Sequence, residues 1–187
     1  TILILIAVIF VSSACLAGTS GALRQTMAGY LRNGADTSTL TEGHPLYTLK
    51  DVPVTATATW LMFRDDTALL EEFYQVIDRT VMDYFTERRT VSGNFVKGNL
   101  LDDGSSVVSP GLNSLAALEV HCLSLIASET GRYSEAIELR RLARDYAHAI
   151  TDYFFDHTSA LFMTVGEDGS YGTAYEPSQL LPLVIDG

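Results

Sequence analysis

Two aspartates stand side by side in the stretch NLLDDGSSVVSPGLNSLAAL, residues 99–118, where a Gly/Ser-rich segment runs into a long apolar helix. A carboxyl at the mouth of a buried helix can do one of two things. Asp102 or Asp103 can exchange a proton with a substrate, its pKa raised by an apolar, like-charged setting. Alternatively the side chain bonds its own backbone in an Asx turn, the commonplace reading of an Asp/Gly/Ser segment. In extended chain successive side chains point to opposite sides, so the two aspartates cannot both face one ligand. One of them is then the proton carrier, and the other holds hydroxyls or backbone.

The remaining reactive groups exclude more than they offer. Cys15 and Cys122 fit no CxxC or Cys/His spacing, and His44, His121, His148 and His157 share no metal-ligand spacing, so neither a metal nor a cofactor is expected. His121 falls on the apolar helix and reads as a core histidine. There is no phosphate-cradling glycine loop and no GxSxG elbow. Against 23 acidic residues stand 12 basic ones, a net charge of −11 with no basic stripe, which argues against a nucleic-acid partner. An uncharged or cationic small substrate fits better. With 187 residues, 47% of them hydrophobic, the chain can bury one sizeable core.

The elements that must position the aspartates are helices. Residues 20–31 form a short helix stopped by the RNG at 32–34, and a polar loop follows. Asp51 and Pro53 predict a helix from Val52 to about Phe63. From Thr67 to Glu87, Leu69, Leu70, Phe73, Val76, Ile77, Val81 and Phe85 recur at helical spacing with charged residues opposite. Ser109 and Pro110 open a helix that is apolar nearly all round and must be surrounded by protein. Gly131 closes it. Ser134 is the expected cap of a second amphipathic helix, with Leu139, Leu142, Ala143, Tyr146 and Ile150 inward. ALFMTV and SYGTAY, separated by GEDG, read as a short β-hairpin, and Pro177 opens a final helix.

A buried helix followed across a short loop by a half-exposed one is an αα-hairpin with an inner and an outer member, and the chain holds two. The expected fold is all-α: a toroid of concentric helical hairpins, present as a partial barrel, with a small β-hairpin insertion. A tetratricopeptide-type solenoid is the competitor, but its fixed ~34-residue period is absent.

The apolar run ILILIAVIFV followed by SSACLAG has the order of a secretory signal and is too short to span a bilayer. Residues 1–19 are therefore expected to be a targeting segment and residues 20–187 the folded domain. The implied location is extracytoplasmic: secreted, periplasmic or lipid-anchored, with Cys15 a weak lipid-acceptor site and membrane contact only through this segment. The competing reading is a core helix continuing towards Ala22. A first residue Thr1, and a C-terminal EPSQLLPLVIDG that stops as a helix begins, read as a fragment, with part of the active site outside the chain.

Three stretches resemble the six-hairpin (α/α)6-barrel glycosidases, most closely glycoside hydrolase family 63 and the trehalases. GRYSEAIELRRLARDYAHAITDYFFDHTSALFMTVGEDGSY with PSQLLPLVIDG is similar to their repeating hairpin signature. KDVPVTATATWLMFRDDTALLEEFYQVIDRTVMDYFTERR resembles the preceding hairpin, and GNLLDDGSSVVSPGLNSLAALEV the loop and inner helix that carry their general acid. The likeness covers residues 20–187, two to three hairpins of six. Where the family has Ser-Pro-Arg after the aspartate, this chain has GSSVVSP without Arg.

The resemblance implies hydrolysis of α-linked glucosides or related oligosaccharides by inversion, with Asp102 as general acid. Inversion needs a second carboxyl roughly 6.5–9.5 Å away to activate water. The family places that base in a later hairpin, and Glu176 is the in-chain candidate for the second carboxylate. Asp103 and Asn113 are candidate substrate-binding residues, and Phe95, Trp60 and Tyr47 candidate sugar platforms, each weighed against ordinary burial in the core. The alternatives are a catalytically silent helical-hairpin module binding carbohydrate or protein, or an isomerase or phosphorylase on the same toroid.

Overall fold

The computed structural model describes residues 20–50, 52–88, 90, 94–98, 107–166, 168–172 and 182. The apolar run at 1–19, Asp102, Asp103, Glu176 and the helix expected from Pro177 lie outside the described residues. Among the described residues five α-helices form the body: α1 (Ser20–Arg32), α2 (Thr55–Phe63), α3 (Thr67–Glu87), α4 (Pro110–Glu129) and α5 (Tyr133–Phe154). A two-stranded antiparallel hairpin, β1 (Phe155–Asp156) with β2 (Leu161–Phe162), follows α5, Phe155 opposite Phe162.

Helix direction alternates. Tyr74 donates to Glu135 at 2.7 Å and Arg132 pairs with Glu71, which joins the early turns of α3 and α5. Further along, the rings of Phe85 and Tyr146 meet, so these two helices run the same way. Arg24 lies over the Phe63 ring, Arg32 pairs with Glu72 and Arg79 donates to the Gly34 carbonyl, which sets α1 alongside α3 in that direction. α2 and α4 run the other way. Phe63 at the end of α2 packs on Phe73 near the start of α3, and Asn113 at the start of α4 meets Tyr146 late in α5.

Burial sorts the same helices into two ranks. In α2, Thr55 to Thr59 and Phe63 are buried, and in α4 every residue from Pro110 to Ala117 is. α3 and α5 bury single faces, Leu70, Phe73, Ile77 and Val81 in one and Leu139, Ala143, Ala147 and Ile150 in the other. α4 is long and apolar enough to cross a membrane, but most of it is enclosed by protein. Apart from the terminal Glu129, only a narrow stripe, Leu118, His121, Leu125 and Ser128, is left partly or fully uncovered.

Several local expectations are corrected. α2 starts at Thr55, not Val52, and Val54 provides no side-chain cap, because its first N–H groups are bonded by a carboxylate from another helix, described below. α5 starts at Tyr133 with Arg132 as an N-cap that makes no side-chain bond, so Ser134 is inside the helix. Leu142 is 49% exposed, since its position falls between the buried stripe and the solvent face. The β ladder forms one turn earlier than GEDG. Around GEDG the described residues do pair antiparallel as expected, Val165 with Tyr171, with Gly172 N–H donating to the Thr164 carbonyl at 2.7 Å.

Candidate functional site

The connections differ sharply between the two ends of the helices. Inner helices pass to outer ones through 64–66 and 130–132, whereas outer helices reach inner ones through 33–54 and 88–109. Long connections held by a rigid scaffold are where sites are built. Both N-termini of the inner helices open on that long-loop end.

The Asp102 loop grows from a base that its flanks define closely. Gly98 N–H donates to the Val107 carbonyl at 2.9 Å, so the chain enters and leaves residues 99–106 at one point. Only glycine fits there: φ is +119°, and a Cβ would meet Leu112 Cδ2 at 3.3 Å. Val108 exchanges two backbone bonds with Val165, at 2.8 and 3.0 Å, which ties this base to the segment after β2. Ser109 caps α4, and Pro110 occupies the first turn as expected.

Asn113 fixes this base to α4. Its Oδ1 accepts from Val96 N–H at 2.8 Å and from the Tyr146 hydroxyl, while Nδ2 donates to the carbonyls of Val96, 3.0 Å, and Ser109, 2.8 Å. That fills both donors and both acceptor sites of the amide. Asn113 therefore positions the loop base and has no hydrogen bond left for a substrate hydroxyl. Phe95 is buried beside it, in ring contact with Tyr146, Tyr153 and Phe154, under a small apolar cluster with Val108, Ile150, Phe162 and Val165. Trp60 and Tyr47 are half-buried against the main core.

The buried carboxylate that the sequence reading passed over is Glu119. It is 1% exposed in the middle of α4, and its oxygens accept the N–H groups of Ala56, 2.7 Å, and Thr57, 2.8 Å. An anion at the open N–H groups of a helix start complements the helix dipole. Burial pushes the Glu119 carboxyl above the usual range, against the pull of the donors on Thr57, Ala56 and Thr55. Cys122, one turn on, has its thiol pushed up to about 12 by burial and by Glu119. His121, expected in the core, is exposed instead; partial desolvation and Arg140 lower its pKa.

Glu119 also lines a cleft of about 250 Å³ at the long-loop end, between the second half of α3, the α1–α2 connection and the start of α2. The backbone bond from Lys97 N–H to the Arg88 carbonyl, 2.7 Å, joins the wall of this cleft to the base of the Asp102 loop. Among the described residues no group of three His, Cys, Asp or Glu is arranged to hold a metal ion. No family model, no curated protein and no solved structure matches the chain.

Proposed function

We propose that this chain is a glycoside hydrolase acting on α-linked glucosides or related oligosaccharides, built on part of an (α/α)6 toroid. The observation that carries this reading is the closed base of the 99–106 loop at the mouth of inner helix α4. Alternating inner and outer helices, long connections at one end, and the uncovered stripe on α4 support the toroid, since an inner helix turns one strip towards the lumen.

Asp102 donates a proton to the leaving glycosidic oxygen, and Asp103 holds sugar hydroxyls or backbone. A second carboxyl, in Glu176 or in a later hairpin, activates water on the opposite face of the ring, so the anomeric centre inverts. Phe95 and Asn113 serve as the frame of the loop.

The test is a panel of aryl α- and β-glycosides and α-linked disaccharides, with the first-formed anomer followed by proton NMR on the intact protein. Cleavage of α-linkages with release of the inverted anomer is expected. If nothing in the panel is cleaved while the sugars still bind, the chain is a carbohydrate-binding module.

A further inference from the structure

The cleft beside Glu119 lies between an outer helix and the connection to its inner neighbour, at the same end of the helices as the base of the Asp102 loop. Arg79, Asp83 and Glu87 line it along one stripe of α3, with Tyr84 between them and Arg88 just past the helix end. Among the described residues none of these four charges takes part in an ion pair, although opposite charges at this spacing commonly do. Arg79 makes one 3.3 Å bond to the Gly34 carbonyl, and Arg88 lies over the Tyr84 ring at 5.0 Å.

From this we infer that the cleft is a second binding site, for one uncharged sugar ring. Two cations face two carboxylates and Glu119 adds a third acid, so the walls offer donors and acceptors together without the net positive charge that would hold an anion. A chain of net charge −11 would also repel an anion at long range. Buried Glu119 at the floor is turned to the start of α2, held by the N–H groups of Ala56 and Thr57 and pulled by further donors on Thr55 and Thr57, so the ligand's hydroxyls are met by Asp83, Glu87 and the two arginines at the rim. The cleft is smaller than the roughly 300–1,000 Å³ of drug-sized pockets, which suits a single ring. The site does not depend on hydrolysis.

Titration of the full chain with glucose, mannose, galactose and inorganic phosphate, read by calorimetry, tests this. One of the sugars should bind saturably and phosphate should not. The double variant Asp83→Asn/Glu87→Gln lies on the exposed face of α3 and should keep its melting temperature while weakening sugar binding about tenfold or more. Asp102→Asn should leave this binding unchanged even where it abolishes hydrolysis, which separates the two sites. Saturable phosphate binding, no sugar binding, or sugar binding that the double variant retains in full would overturn the inference.

Discussion

The two ends of the helix layer are built by different rules. At the short-turn end the chain reverses with groups that lie next to the turn: Asp66 Oδ1 accepts from Leu69 N–H at 3.2 Å, and Gly131 takes φ +77° to stop α4. At the long-loop end Ser109 still caps α4 locally, but the start of α2 and the base of the 99–106 loop are held from a distance. Glu119 holds the start of α2 from the middle of another helix, and Asn113 holds a loop base seventeen residues before it.

Substitutions should separate the two ends by size of effect. Asn113→Ala removes four hydrogen bonds and leaves buried Val96 groups unpaired, so urea unfolding should show a loss of roughly 3 kcal/mol or more. Hydrogen exchange at Val96 should accelerate before that of α3. A loss no greater than that of an exposed substitution would mean that the loop base stands without Asn113.

Glu119→Ala leaves two N–H groups of α2 without acceptors and should cost about 2–4 kcal/mol. The pH dependence of this group has a definite sign. Its folded pKa is raised, so the folded state holds the proton more tightly. The stability this provides is complete below the ordinary carboxyl range and is lost as pH rises through the folded value. Glu119→Gln cannot titrate, so its stability curve should lack that decline. A wild type and variant that fall in parallel with rising pH would contradict a raised pKa.

How much of this was legible in the sequence follows whether the group that shapes an element lies beside it or far along the chain. α3 appears with the bounds its periodicity predicts, and Ser109-Pro110 and Gly131 begin and end α4 where local chemistry places them. The start of α2 was misplaced because its cap comes from Glu119, which no local pattern connects to Ala56. The one available signal was an acidic residue on an otherwise apolar helix; a buried carboxylate needs donors, and an uncapped helix start supplies them. For Asn113 a role was expected, but its partners on Val96, Ser109 and Tyr146 make it a frame rather than a contact. Ser134 failed as a cap because helical geometry begins one residue earlier.

At the short-turn end the effects should be smaller. Gly131→Ala forces a left-handed residue onto a Cβ and should cost about 1 kcal/mol by thermal unfolding. Arg132→Met removes the pair with Glu71, and its effect should be the smallest and vanish in high salt. Arg132 holds the exposed Glu71 carboxyl below the usual range, so this contribution is present at neutral pH and lost as pH falls through the folded value. An Arg132→Met loss as large as that of Asn113→Ala would erase the distinction between the ends.

The most direct test of the account is the initial rate of α-glycoside hydrolysis by Asp102→Asn beside Asp103→Asn in the intact protein. Asp102→Asn should lower kcat by about a hundredfold or more, as loss of a general acid does, while Asp103→Asn mainly raises KM. Equal, small effects of both substitutions would contradict the account and return the pair to an ordinary turn.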